Sequence, residues 1–217
     1  MNTVTTRHYS PLDRFIQRLD QALHTTLGPA SAPARANPAA AMPEAPLSAA
    51  ERELAGRLMR VNHAGEISAQ ALYQGQALTA HLPTVRDKME QAASEENDHL
   101  AWTEERIREL GTHTSVLAPF WYAGSFAIGA LAGLAGDKWS LGFVVETERQ
   151  VVRHLDSHLA RLPAHAARDR AILEQMKTDE ARHATTALAA GAAELPGPIR
   201  QLMALTSKIM TRTAYWL

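Results

Sequence analysis

The sequence predicts an all-α protein, a four-helix bundle with a hydrophobic crossover helix at its edge, and three observations carry that reading. Apolar residues recur at spacings of three and four over four long stretches, and nothing alternates at period two over a useful length. Pro83 opens the second stretch, Gly111 closes it, and Pro163 and Gly191 punctuate the later pair. Each half of the set also carries the same pattern of glutamate and histidine on its apolar stripe.

Taken in order, residues 1–28 form an amphipathic segment, with Leu12, Phe15, Ile16, Leu19 and Leu23 at helical spacing. It has no continuous apolar core of the kind a secretory signal needs. Residues 29–46 are Ala/Pro-rich and aperiodic, the composition of a flexible or polyproline-like linker. The helical domain is expected over 47–217, opening on Ser48 with Glu51 three residues on, the signature of a capping box. Its four long helices are expected at about 48–80, 83–111, 138–162 and 166–191.

Composition narrows the function. The chain has 22 basic and 23 acidic residues, which gives no electrostatic case for nucleic acid as a partner. It has no cysteine, which removes disulfides, iron–sulfur clusters and thiolate zinc. Any metal must then be held by Glu, Asp and His, a hard, oxygen-rich set suited to iron or manganese.

Two Glu-x-x-His motifs occur, Glu96-Asn-Asp-His99 and Glu180-Ala-Arg-His183. With ten histidines such a motif can arise by chance, so the weight falls on where the two lie. On the second helix Val85, Met89, Ala92, Glu96, His99, Thr103, Ile107 and Leu110 share one stripe. On the fourth, Leu173, Met176, Glu180, His183 and Ala187 do the same. Ionisable pairs therefore sit where an unpaired charge would be costly. Spacing i, i+3 puts both heads of a pair on one face, as chelation requires. A solitary glutamate precedes each motif, Glu66 by 30 residues and Glu148 by 32, which suits facing positions in an antiparallel hairpin.

By default a helical glutamate is a solvated surface charge. Six groups on four stripes instead match a dinuclear carboxylate site, one Glu from each of two helices and Glu-x-x-His from each of the others, as in ferritin-like bundles. The expected ligands of two metal ions are Glu66, Glu96, His99, Glu148, Glu180 and His183. Glu146 competes with Glu148 on the third helix. The stripe Leu141, Val144, Val151, Leu155 passes through Glu148, whereas Glu146 shares a face with Gln150, Arg153 and Ser157, so Glu148 is preferred. Asp179 is placed to fix the tautomer of a ligand histidine, with a solvated charge as its alternative. His154 is a candidate supporting residue near the third-helix site, with a surface position as its alternative.

These motifs resemble the demethoxyubiquinone hydroxylases of ubiquinone biosynthesis, a family of the ferritin-like di-iron superfamily. RVNHAGEISAQALYQGQ around Glu66 is the most specific match, and EENDHL, VVETERQVVRHLDSHL and TDEARHA follow in the family's order over residues 50–217. The resemblance implies the same six residues as iron ligands. It also implies an O2-dependent monooxygenase acting on a polyprenylated demethoxy-benzoquinol, working among partner proteins of quinone biosynthesis. Other readings compatible with the residues are another di-iron oxidase or a non-enzymatic iron-binding or storage protein.

From Leu110 to Gly136 no residue is acidic, lysine or arginine, a run long enough to span a bilayer but broken by Pro119 and by Gly124, Gly129, Gly133 and Gly136. It is expected to be an interfacial crossover helix of the bundle. The C-terminal stretch sets Arg200, Lys208 and Arg212 among Ile199, Leu202, Met203, Leu205, Ile209 and Met210, and ends in Tyr215 and Trp216. That is an amphipathic helix with aromatic anchors. The expected location is peripheral, in contact with lipid on the cytoplasmic side of the inner membrane.

Overall fold

The computed structural model describes residues 11–43 and 46–217, and among them it contains seven helices and no strand. They are α1 (Pro11–Leu27), α2 (Ala49–Thr79), α3 (Pro83–Glu109), α4 (Ala118–Leu134), α5 (Asp137–Arg161), α6 (Ala167–Ala189) and α7 (Gly197–Trp216). The four expected bundle helices are α2, α3, α5 and α6, with ends moved by no more than two residues. Of the stripe that predicts α1, the side chains of Leu12, Phe15 and Leu19 lie outside the described residues.

Local chemistry sets the helix ends. Ser48 and Glu51 close the capping box of α2: Glu51 N donates to Ser48 Oγ at 3.3 Å, and Ser48 N donates to Glu51 Oε2 at 2.9 Å. The start of α3 has no side-chain cap of its own. Asp137 instead accepts from the backbone N–H groups of His81 at 3.0 Å and Leu82 at 2.8 Å, tying the α2–α3 turn to the start of α5. Gly111 and Gly191, at φ of 73° and 95°, take the left-handed conformation that ends α3 and α6.

Two apolar clusters fill the bundle. One gathers Leu58, Met59, Trp102, Ile107, Leu155, Leu159, Ile172 and Met176. The other gathers Leu72, Tyr73, Val85, Met89, Leu141, Val144 and Ala187. On each of the four helices the expected ligands fall between members of the two clusters, so the ionisable groups form one layer between two dry ones.

The crossover differs from expectation in length. Residues 110–117 form an irregular turn, and α4 has 17 residues, about 25 Å at 1.5 Å per residue. No helix among the described residues is long and apolar enough to cross a membrane. Helix α4 runs beside α2 in the same direction, carrying the chain to the end of the bundle where α5 begins. Glycines that weaken the run as a membrane helix are its points of contact here. A Cβ on Gly129 would lie 2.1 Å from the Leu72 carbonyl oxygen, and one on Gly75 would lie 2.2 Å from that of Phe126.

The Ala/Pro-rich segment after α1 has no helix, as its composition predicts, but it is not a free tether. Ala39 is buried within the first apolar cluster. Ala34 N donates to Asp98, Asn37 Nδ2 to Glu105 and Arg168 Nε to the Ala39 carbonyl. Small alanine side chains let this backbone lie close on α3 and α6, where polar groups on both sides then pair.

Candidate metal centre

Four helices each contribute to the central layer: α2 brings Glu66, α3 Glu96 and His99, α5 Glu148, and α6 Glu180 and His183. All six are buried, Glu96 and His99 at 0% exposure and His183 most open at 8%. Their ligand atoms form two groups of four, each within 4.8 Å: Glu66, Glu96, His99 and Glu180, then Glu96, Glu148, Glu180 and His183. Glu96 and Glu180 belong to both groups. The i, i+3 pairs therefore supply the shared carboxylates, and the solitary glutamates stand at the two outer ends.

Both histidines turn Nδ1 inward. His99 Nδ1 lies 3.1 Å from Glu180 Oε1, 3.2 Å from Glu96 Oε2 and 3.3 Å from Glu66 Oε2. His183 Nδ1 lies 3.0 Å from Glu180 Oε2. Outward, His99 Nε2 donates to Asp179 Oδ2 at 3.0 Å and His183 Nε2 to Glu95 Oε2 at 2.7 Å. These carboxylates fix each ring's orientation and would keep the proton on Nε2 when Nδ1 gives up its own to a metal. Asp179, on α6, thus accepts from a candidate ligand histidine on α3.

The sequence reading missed Glu95. Its signal is the residue before each motif, acidic in both: Glu95 before Glu96, Asp179 before Glu180. Each such acid backs the histidine of the opposite helix.

The electrostatics fit a cation. Burial and the charges of Glu180 and Glu66 push Glu96 well above the ordinary carboxylate range, and the same causes raise Glu148. Burial opposes protonation of His99, but its hydrogen bonds to Asp179, Glu180, Glu66 and Glu96 prevail and raise it well above the usual value. Burial likewise opposes His183, yet hydrogen bonding to Glu180 and the Glu96 charge bring it up to about 9. Protons here take the place of missing positive charge. Glu96 Oε1 and Glu148 Oε1 are buried without a hydrogen-bond partner, and a cation held among them would satisfy both. Four carboxylates and two imidazoles form a donor set that suits iron or manganese.

The two candidates at the third helix separate cleanly. Glu148 points into the layer, whereas Glu146 accepts from Gln150 at 2.8 Å and Arg153 at 3.4 Å, outside both groups. His154 also lies outside them. Its ring packs against His158 at 3.9 Å between centroids, and burial with the nearby Arg161 pushes it down to about 4.

With this geometry in view, similarity to known proteins decides the family. The profile of the family described as Ubiquinone biosynthesis protein COQ7 matches residues 53–214, most of the chain and all six of these residues. The chain belongs to the COQ7 family. Among COQ7-family relatives, a protein of Nitrosococcus oceani named 3-demethoxyubiquinol 3-hydroxylase is 63% identical over 97% of this chain and 99% of its own length. Relatives of the same name from Alcanivorax borkumensis and Stutzerimonas stutzeri are 58% and 57% identical, over 98% and 96% of this chain and 99% and 97% of their own lengths. The COQ7 match begins inside α2, so the packed segment before it lies outside the part that defines the family.

Proposed function

We propose that this chain is a di-iron monooxygenase that hydroxylates the ring of a polyprenylated demethoxy-benzoquinol in ubiquinone biosynthesis. The observation that carries this is the pair of buried ligand groups sharing Glu96 and Glu180, in a chain so close to proteins named 3-demethoxyubiquinol 3-hydroxylase. Glu66 and His99 would hold one iron, Glu148 and His183 the other, with Glu96 and Glu180 within reach of both. When bound, the iron pair supplies the electrons and oxygen chemistry of a monooxygenase.

The protein's own part is electrostatic and steric. Four carboxylates offset the four positive charges of two ferrous ions, so the loaded layer is close to neutral and tolerable in an apolar bundle. The apolar clusters on either side keep water from the reacting centre. Asp179 and Glu95 hold both imidazoles in register.

The substrate's prenyl tail keeps it in lipid, and the outer faces of α4 and α7 are built to meet it. Phe120, Leu131 and Leu134 on the first, and Leu202, Leu205 and Trp216 on the second, are each at least 56% exposed. Isolated exposed apolar residues need no explanation, but two neighbouring helices that both present them mark an interaction surface. This surface attaches the protein peripherally to the cytoplasmic side of the inner membrane.

The test is turnover. Anaerobically reduced, iron-loaded protein given labelled O2 and a short-chain demethoxyquinol should yield hydroxylated product carrying the label. Label found only in water or peroxide, with ferric iron accumulating, overturns the hydroxylase reading.

A further inference from the structure

We infer that Arg35, on the segment before the family-defining bundle, is a positioning residue for one of the two metals, acting through Asp179 on His99. The inference rests on the di-iron reading above and adds to it a control point outside the matched domain.

The contacts run in one chain from the surface to the site. Arg35 Nε donates to Asp98 Oδ2 at 2.6 Å, and Arg35 Nη1 donates to Asp179 Oδ2 at 2.7 Å. That same Asp179 oxygen accepts from His99 Nε2 at 3.0 Å. A second route passes through Trp102: the Arg35 guanidinium lies 4.9 Å from its ring centroid, and the Trp102 and His99 rings are 5.4 Å apart. The Arg35 backbone carbonyl accepts from Trp102 Nε1, and Ala34 N donates to Asp98, so the residue is anchored on both sides of its side chain.

One planar guanidinium thus bridges an acid on α3 and an acid on α6. A lysine, as a single point of charge, does not reproduce that fork. The two metal positions become unequal. His99 is backed by an Asp179 whose carboxylate is 5% exposed and held by Arg35. His183 is backed by Glu95, 24% exposed; Arg182 reaches Glu95 at 3.3 Å and Asp179 at 3.1 Å and so serves both supports, whereas the ion pairs of Arg35 go to Asp98 and Asp179. Loosening Arg35 should therefore weaken the His99 metal and spare the other. Loss of a hydrogen-bonding partner behind a ligand histidine costs roughly 10- to 100-fold in metal affinity.

The test is chelator competition on the purified full chain, with bound iron counted by elemental analysis. In Arg35→Gln, one of two irons should leave at roughly 10- to 100-fold lower chelator concentration while the second is retained as in the wild type. Asp179→Asn should weaken that same iron, and the double variant should add little beyond either single one, as expected of residues acting in series. Glu95→Gln should weaken the other iron, which assigns the two steps. Asn37→Ala, which cuts the segment's bond to Glu105, should leave both steps unmoved. If Arg35→Gln does not fold, Arg35→Lys carries the same comparison. Unchanged competition, equal weakening of both irons, or the same effect from Asn37→Ala overturns the inference. A wild-type chain that takes up no iron at all overturns the di-iron reading instead.

Discussion

His99 and His183 use the same nitrogen inward and the same nitrogen outward, and each is held by an acid from the other's helix. This reciprocity explains why the six central residues were legible in sequence while their supports were only partly so. A ligand must lie on the apolar stripe, and stripes are visible. A support lies one residue earlier, on the edge of the polar face, where Glu95 resembles any solvated charge. Arg35 was not legible, because its partners lie 63 and 144 residues away and only the folded chain brings them together. The choice between Glu146 and Glu148 rested on helical phase, and Glu148 is the one facing the layer. Glu148→Gln should remove most iron and reduce turnover at least a hundredfold, while Glu146→Gln should keep both within a few-fold. Elemental analysis with single-turnover assays checks this, and equal losses would contradict it.

At the level of helices, a buried ion pair locks the two hairpins together beside the metal layer. Arg106 on α3 donates from Nε to Asp169 Oδ1 at 3.0 Å and from Nη2 to Oδ2 at 2.8 Å, with Asp169 fully buried on α6. Removing Asp169 takes two hydrogen bonds and the facing charge from the buried Arg106 guanidinium and leaves it with Glu109 at 2.8 Å, so Asp169→Ala should cost up to about 3–5 kcal/mol in urea unfolding. A double replacement by apolar residues of similar size should recover much of that loss. Helix α4 depends on a different kind of contact. Its backbone meets α2 so closely that Gly129→Leu leaves no room for the side chain, and the expected outcome is a displaced α4 with a lower melting temperature. Sequence alone revealed these glycines but not their partner, since a glycine that weakens a helix and one that lets two helices touch look alike. Helix identity was readable because capping residues and prolines mark it. The path of the Ala/Pro-rich segment was not, because its composition reports low helix propensity and nothing about docking.

Taken whole, the molecule keeps several histidines neutral by burial, and this sets its response to acid. His63 is pushed down to about 4 by burial, and His158 to about 2 by burial together with His154 and Arg161. The ordinary histidine value is near 6.5, so between these limits the unfolded chain binds more protons than the folded one. Each such group therefore lowers stability as pH drops from about 6.5 toward 4, by up to about 1.4 kcal/mol per pH unit, while the raised carboxyls of Glu96 and Glu148 act in the opposite sense. Melting curves across that window check this: from about pH 6.5 to 4, His63→Gln should lose less stability, or gain more, than the wild type. Attachment to lipid belongs to this scale as well. Flotation with anionic vesicles should recover the wild-type chain, and Leu202→Gln combined with Leu205→Gln should reduce recovery severalfold without changing iron content. The two ligand groups share Glu180, and that residue has a consequence in time. Ribosomes deliver Glu66, Glu96 and His99 long before Glu180 emerges, so a nascent chain carries half of a chelating site with no means of completing it. On the proposed di-iron reading, iron would enter after synthesis has passed α6, and a chain truncated before that point should leave the ribosome metal-free.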